Sequence, residues 1–316
     1  MKKIILAMAA IAIMASCAKE NVETTDVWDG ELRISSGIET RASGTMWDDG
    51  DAIGVFMNET DNYEPIGTHN TPYSTSLSAA YATASFSVVS TTDAPFDPLY
   101  YPQSDKVDIM AHYPYNADAT VVTYPIDVTT QTPSKNIDFM SAKMVGVEKS
   151  KDELKLEFFH LLSQLKITLA PADGGGLTTD DLASATVKVS GTQVTAEAKV
   201  GYDSTEGVPT ATYTLSGEAT DLSLVASSSV ATFILVPQTA DMTITITVDK
   251  VGEFYVSVSS MALTSGDEHS YTISVSRTAA IISGAKINGW DEDGEVVDEG
   301  KLDASDYVEP EIDDRG

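Results

Sequence analysis

Residues 31–56 read ELRISSGIETRASGTMWDDGDAIGVF. The stretch opens in strict alternation. Leu32, Ile34, Ser36, Ile38 and Thr40 fall on one face, and Glu31, Arg33, Ser35, Gly37 and Glu39 on the other. A period of two predicts a half-buried strand. It breaks at Arg41, one of only four arginines in the chain. An acidic turn, Trp47-Asp48-Asp49-Gly50-Asp51, then leads into a second apolar run at 52–57.

The same period recurs along the chain. Strands are expected at 86–89, 107–113 and 121–124, and in the second half at 185–189, 194–200, 211–215, 222–226, 231–236, 242–248, 254–258 and 271–275. Met242, Ile244, Ile246 and Val248 alternate with threonines, as the two faces of a sheet should. Prolines at 95, 98, 102, 114, 125 and 133 punctuate the first half and argue against long helices there. Residues 58–83 are rich in Thr, Ser, Asn and Tyr and read as a long surface excursion. In LKLEFFHLLSQLKITL, residues 154–169, the apolar parity flips from Leu154, Leu156, Phe158, His160 and Leu162 to Leu165, Ile167 and Leu169. A bulge near Ser163 is expected, in one long strand that closes one domain and opens the next. The whole reads as all-β, two β-sandwich domains over 31–155 and 156–290.

The chain has 316 residues, 19 basic and 48 acidic, for a net charge of −29. Such a surface repels phosphate backbones, so no nucleic-acid partner is expected. The hydrophobic fraction of 42% is enough for real cores. Residues 291–316 hold twelve acids against Lys301 and Arg315 and read as an acidic, solvated tail.

Residues 1–16 read as a signal peptide: Lys2 and Lys3, then an apolar stretch at 4–15. As a helix the stretch would reach about 18 Å, against about 30 Å of bilayer hydrocarbon. It ends in Met14-Ala15-Ser16-Cys17, and Cys17 is the only cysteine. A small residue followed by a lone cysteine resembles a bacterial lipoprotein lipobox. Lipid on Cys17 would tether the precursor, with residues 17–30 as a linker. Ala18-Lys19-Glu20 resembles a surface-export signal of Bacteroidales-type lipoproteins.

Chemistry is sparse. His69, His112, His160 and His269 lie outside metal-ligand spacing of one another and of Cys17. His160 sits on the apolar parity of its strand and reads as a hydrogen-bonded core histidine. Gly174-Gly175-Gly176 lacks the lysine of a phosphate loop. Asp48, Asp49 and Asp51 around Gly50, and Asp291, Glu292 and Asp293 before Gly294, do not complete a calcium loop. No metal, no cofactor and no enzymatic activity are expected.

The segment MWDDGDAIGVF at 46–56 resembles the fimbrillin family, in its Mfa-like branch, which builds type V pili. YYP at 100–102, AHYPY at 111–115, DFMSAK at 138–143, LEFFHLLSQLKI at 156–167, FILVPQT at 233–239 and INGW at 287–290 follow in the family's order. The resemblance implies two tandem transthyretin-like β-sandwich domains behind a lipoprotein signal peptide. It implies export to the outer membrane and cell surface, cutting by an arginine-specific protease, and polymerisation with other pilus subunits by donor-strand exchange, supporting adhesion. Arg41, followed by Ala42, holds the place of the cut. The strand carrying Leu32, Ile34 and Ile38 would be the removable one. A neighbouring subunit's donor strand would refill the emptied groove, burying four or five apolar side chains at roughly 1.5–3 kcal/mol each. The acidic tail departs from the pattern of a stalk subunit's donor strand, which leaves stalk, tip and anchor roles open. The alternative function is a monomeric surface lipoprotein that binds glycan or peptide through the loop at 58–81.

Overall fold

The computed structural model describes residues 28–38, 46–60, 63–90, 96–103 and 106–289. The first half contributes β1 (Ile34–Ile38), β2 (Ala52–Glu59), β3 (Thr71–Thr75), β4 (Thr83–Val88), β5 (Val107–Tyr113), β6 (Thr123–Asp127), β7 (Met140–Val147) and β8 (Leu154–His160). The second half adds β9 (Ser163–Pro171), β10 (Thr186–Ser190), β11 (Gln193–Asp203), β12 (Val208–Ala219), β13 (Leu222–Val225), β14 (Val230–Leu235), β15 (Gln238–Val248), β16 (Gly252–Leu263), β17 (Asp267–Val275) and β18 (Ala280–Gly289). One four-residue helix, α1 (Thr179–Leu182), starts at a capping box between Thr178 and Asp181. The fold is all-β.

Seven strands of the first half close on themselves in the order β1-β4-β3-β2-β5-β7-β8. The β-sandwich expected here has no free edge, because its sheet runs on through all seven strands and its two edges have met. Alternation decides what fills it. Ile53, Val55 and Met57 of β2, with Val107, Ile109, Ala111 and Tyr113 of β5, point inward. The other faces of the same two strands are also buried, through Phe56 and Met110, in the core of the second half. That is why every residue of β5 is buried. Gly54 of β2 has no room for a Cβ, because the Asn70 side chain rests against it.

The second half holds two four-stranded sheets, β13-β10-β15-β16 and β14-β9-β17-β18, and a three-stranded sheet, β12-β11-β6. The last one crosses the expected domain division, because β6 belongs to the first half. Pro125 sits in β6 at the outer edge, where a missing N–H is tolerated. Tyr124 and Ile126 of β6 and Phe139 join the second core. The edge strand β14 is covered by Gln131, whose Oε1 accepts from Ile234 N at 2.9 Å while Nε2 donates to Ile234 O at 2.9 Å.

Three expectations need correction. The parity flip at 154–169 is a break between two strands rather than a bulge in one. Leu161 and Leu162 form the joint, both buried, with Leu161 N bonded to Phe139 O and Leu162 O to Gly266 N. The expected division between 155 and 156 thus falls inside β8, whose His160 still pairs with Met140 of the neighbouring barrel strand β7. Residues 58–83 are not a surface loop throughout. They contain β3, a barrel strand, and Tyr73 is 1% exposed with its hydroxyl accepting from Leu99 N. The burial pushes that phenol up to about 12.

Candidate functional site

The first described strand is the seam of the barrel. β1 pairs antiparallel with β4, Ile34 opposite Phe86 through Gly37 opposite Thr83. On its other side it pairs parallel with β8, Ile34 opposite Leu154 through Ile38 opposite Phe158. A β4–β8 pairing is absent among the described residues, so β1 alone closes the ring.

The lead into β1 is bonded too. Leu32 N donates to Leu99 O at 2.8 Å, Tyr101 N to Gly30 O at 2.9 Å, and Leu154 N to Arg33 O at 2.8 Å. Trp28 packs edge-on against Tyr101, and the Lys149 ammonium lies 5.4 Å from its ring centre. Arg33 belongs to this bonded stretch, its carbonyl accepting from Leu154 while its side chain is exposed. Of the expected strand residues, Leu32 and Ile34 are 1% exposed, whereas Ile38 is half-buried. Full apolar burial in this strand is thus two side chains. Ser36, 0% exposed, takes one of the inward places. Cys17, Arg41 and Ala42 lie outside the described residues.

The chain downstream of Arg41 is clamped independently of β1. Trp47 N and O both bond Tyr81, at 2.8 and 3.0 Å. Its ring stands edge-on to Phe86, Tyr113 and Phe158, with centroids 5.0, 5.2 and 5.4 Å away. The acidic turn behind it is a tight turn, with Gly50 at φ +78° and Asp51 N bonded to Asp48 O. Its charge is met by a lysine. Lys135 Nζ lies 2.8 Å from Asp48 Oδ2 and 3.3 Å from Asp51 Oδ1. The hydrogen bond to Asp48 leads in raising the lysine's pKa. Burial, with Asp51 beside it, raises that of Tyr113, whose hydroxyl donates to Asp51. The second acidic cluster lies outside the described residues, and no grouping of metal ligands occurs among those that are described.

His160, the expected core histidine, is 3% exposed and bonded through Nδ1 to Asp138 Oδ1 at 2.9 Å. The sequence reading missed Trp47 as a structural post, Lys135 as the turn's counter-ion, and residues 99–101 as a ladder for the seam. Only Trp47 carried a signal, a large aromatic beside a turn.

The profile of fimbrillin-like proteins matches residues 40–290. The chain belongs to this family. The fimbrillin-like chain is also 33% identical over 309 residues to a Bacteroides uniformis protein described as a candidate fimbrium subunit, Fim1C, covering 92% of this chain and 96% of that one. A solved structure from Bacteroides uniformis, described as a candidate cell adhesion protein, is 31% identical with a TM-score of 0.64 and covers 83% of this chain and 98% of its own. Another from Bacteroides ovatus, at 20% identity and a TM-score of 0.64 over 84% and 99% of the two chains, shows the fold alone. The fimbrillin-like match begins at residue 40, just past β1.

Proposed function

We propose that this fimbrillin-like chain is a structural, non-enzymatic pilus subunit of the cell surface, exported as a lipoprotein through Cys17 and made ready for assembly by cleavage after Arg41. The observation that carries the reading is the position of β1 as the single closing strand of the barrel, with Arg41 between it and the clamped turn at Trp47. Once cut, β1 is held only by its ladders and its packing. Leu32 and Ile34 supply about 1.5–3 kcal/mol each. Each ladder bond adds about 0.5–1.5 kcal/mol. These ties are enough to keep the strand seated until another replaces it. Its departure leaves two open sheet edges, β4 and β8, around an apolar slot, which is a template for β-augmentation by a neighbouring subunit's strand.

The two halves are read as tandem transthyretin-like units. In each, the first strand runs parallel to a late one and antiparallel to another: β1 with β8 and β4, β9 with β17 and β14. β9 runs directly out of β8 through two residues, so of these two first strands only β1 can leave by a single cut.

The test is limited digestion of the purified chain with an arginine-specific protease, with N-terminal sequencing and an unboiled denaturing gel. A new N-terminus at Ala42 with β1 exchangeable is the expected result. Resistance at Arg41 in the folded protein overturns the reading.

A further inference from the structure

The slot that β1 fills has a readable shape. Its inward positions hold Leu32, Ile34, Ser36 and Ile38, and the first three are no more than 1% exposed. The third place is small. Ser36 stands opposite Ala84 on β4 and Leu156 on β8. Two small side chains abreast in a core leave space, and protein interiors do not keep such space empty. Trp47 fills it. The ladder sets Phe86 at the level of Ile34 and Phe158 at the level of Ile38, four residues apart. The indole touches both rings. It therefore crosses the level of Ser36 from inside. Its Nε1 is buried with no hydrogen-bond partner among the described residues, so this ring is kept for its volume rather than its polarity. Trp47 also follows Arg41 in the chain, so it stays when β1 goes.

We infer that Trp47 gauges the occupant of the slot: the groove accepts a strand of another subunit whose inward positions are uncharged and whose third inward residue is small, a pattern that residues 291–316 of a second copy do not offer. The inference rests on the proposed removal of β1. The charge argument is independent of the gauge. A carboxylate or ammonium at a dry inward position would be buried unpaired, which is strongly unfavourable. In residues 291–316, every register of four alternate positions contains at least one Asp, Glu or Lys. The two nearest matches, Val296-Asp298-Gly300-Leu302 and Leu302-Ala304-Asp306-Val308, each bury an aspartate. A strand with the Leu-Ile-Ser-Ile order of β1 carries none.

The experiment uses the full chain, digested at Arg41, and a fluorescent peptide of residues 31–40. Competitors are the same peptide unlabelled, its Ser36→Ala and Ser36→Leu versions, and a peptide of residues 291–316. The Ser36→Ala peptide should compete like the parent. The Ser36→Leu peptide should be about tenfold weaker or worse, as overpacking a filled core requires. The 291–316 peptide should not compete. Equal competition by the Ser36→Leu peptide overturns the gauge, and competition by 291–316 equal to the parent overturns the exclusion of that segment. A second measurement needs no cleavage. In the intact chain Ser36→Leu should lower the melting temperature and Ser36→Ala should not; an unchanged Ser36→Leu melt overturns the gauge. Failure of the parent peptide to rebind overturns the proposed removable strand, while the intact variants still decide the gauge.

Discussion

At the scale of residues, burial assigns roles that composition hides. His112 lies 1% exposed between the two cores, its ring 5.2 Å from Phe56, 6.0 Å from Tyr124 and 5.8 Å from Phe139. Nδ1 bonds Ser141 Oγ and Nε2 the Thr120 carbonyl, both at 3.1 Å. Burial lowers its pKa from 6.5 to about 4. The folded state thus prefers the neutral ring. Its stabilisation is complete above about pH 6.5, where the unfolded ring is neutral too, and is lost as pH falls through about 4. Comparing melting temperatures of the wild type and His112→Gln across pH 4 to 7 tests this. The wild type should lose more stability on acidification, and parallel curves would contradict the assignment. The sequence disclosed His160 as a core histidine because its parity was apolar. It could not disclose His112 in this role, because the rings around it come from β2, β6 and the turn before β7.

At the scale of elements, alternation made most strands legible, including 107–113, which is β5 residue for residue. It failed at β3, where Thr, Pro and Ser mask a barrel strand, and at β18, whose Ile281 and Ile282 are adjacent rather than alternating. The face of β1 was legible, but its partners were not, since pairing with β4 and β8 depends on residues far along the chain. The seam makes a direct prediction. Ile34→Ala should cost about 2–5 kcal/mol, as truncation of a buried isoleucine does. Hydrogen exchange should rise first in β1, β4 and β8, with β9 and β17 unaffected. Ser35→Ala, on the outward face, should leave exchange unchanged. Uniform acceleration over both halves would show that β1 does not open locally.

At the scale of the whole molecule, the halves share more than the sequence suggested. Texture changes along the chain hinted at two units, but pairing between β6 and β11 has no local signature. Gln131 ties the halves together by serving as a one-residue strand for Ile234. Gln131→Ala orphans two backbone groups, at about 1–3 kcal/mol each. Its melting temperature should drop well below that of an exposed control such as Glu218→Ala, and equal melts would refute the tie.

The parallel pairing of β1 with β8 also has a mechanical meaning. Ladder bonds lie across the strand axis. A strand seated in this slot and pulled lengthwise loads its bonds to β4 and β8 together, in shear, rather than peeling them one by one. The tension passes from β8 into β9 through the covalent backbone at Leu161 and Leu162, without crossing a non-covalent interface. A fibre joined through such slots would resist stretching along its length far better than it resists prying at one end.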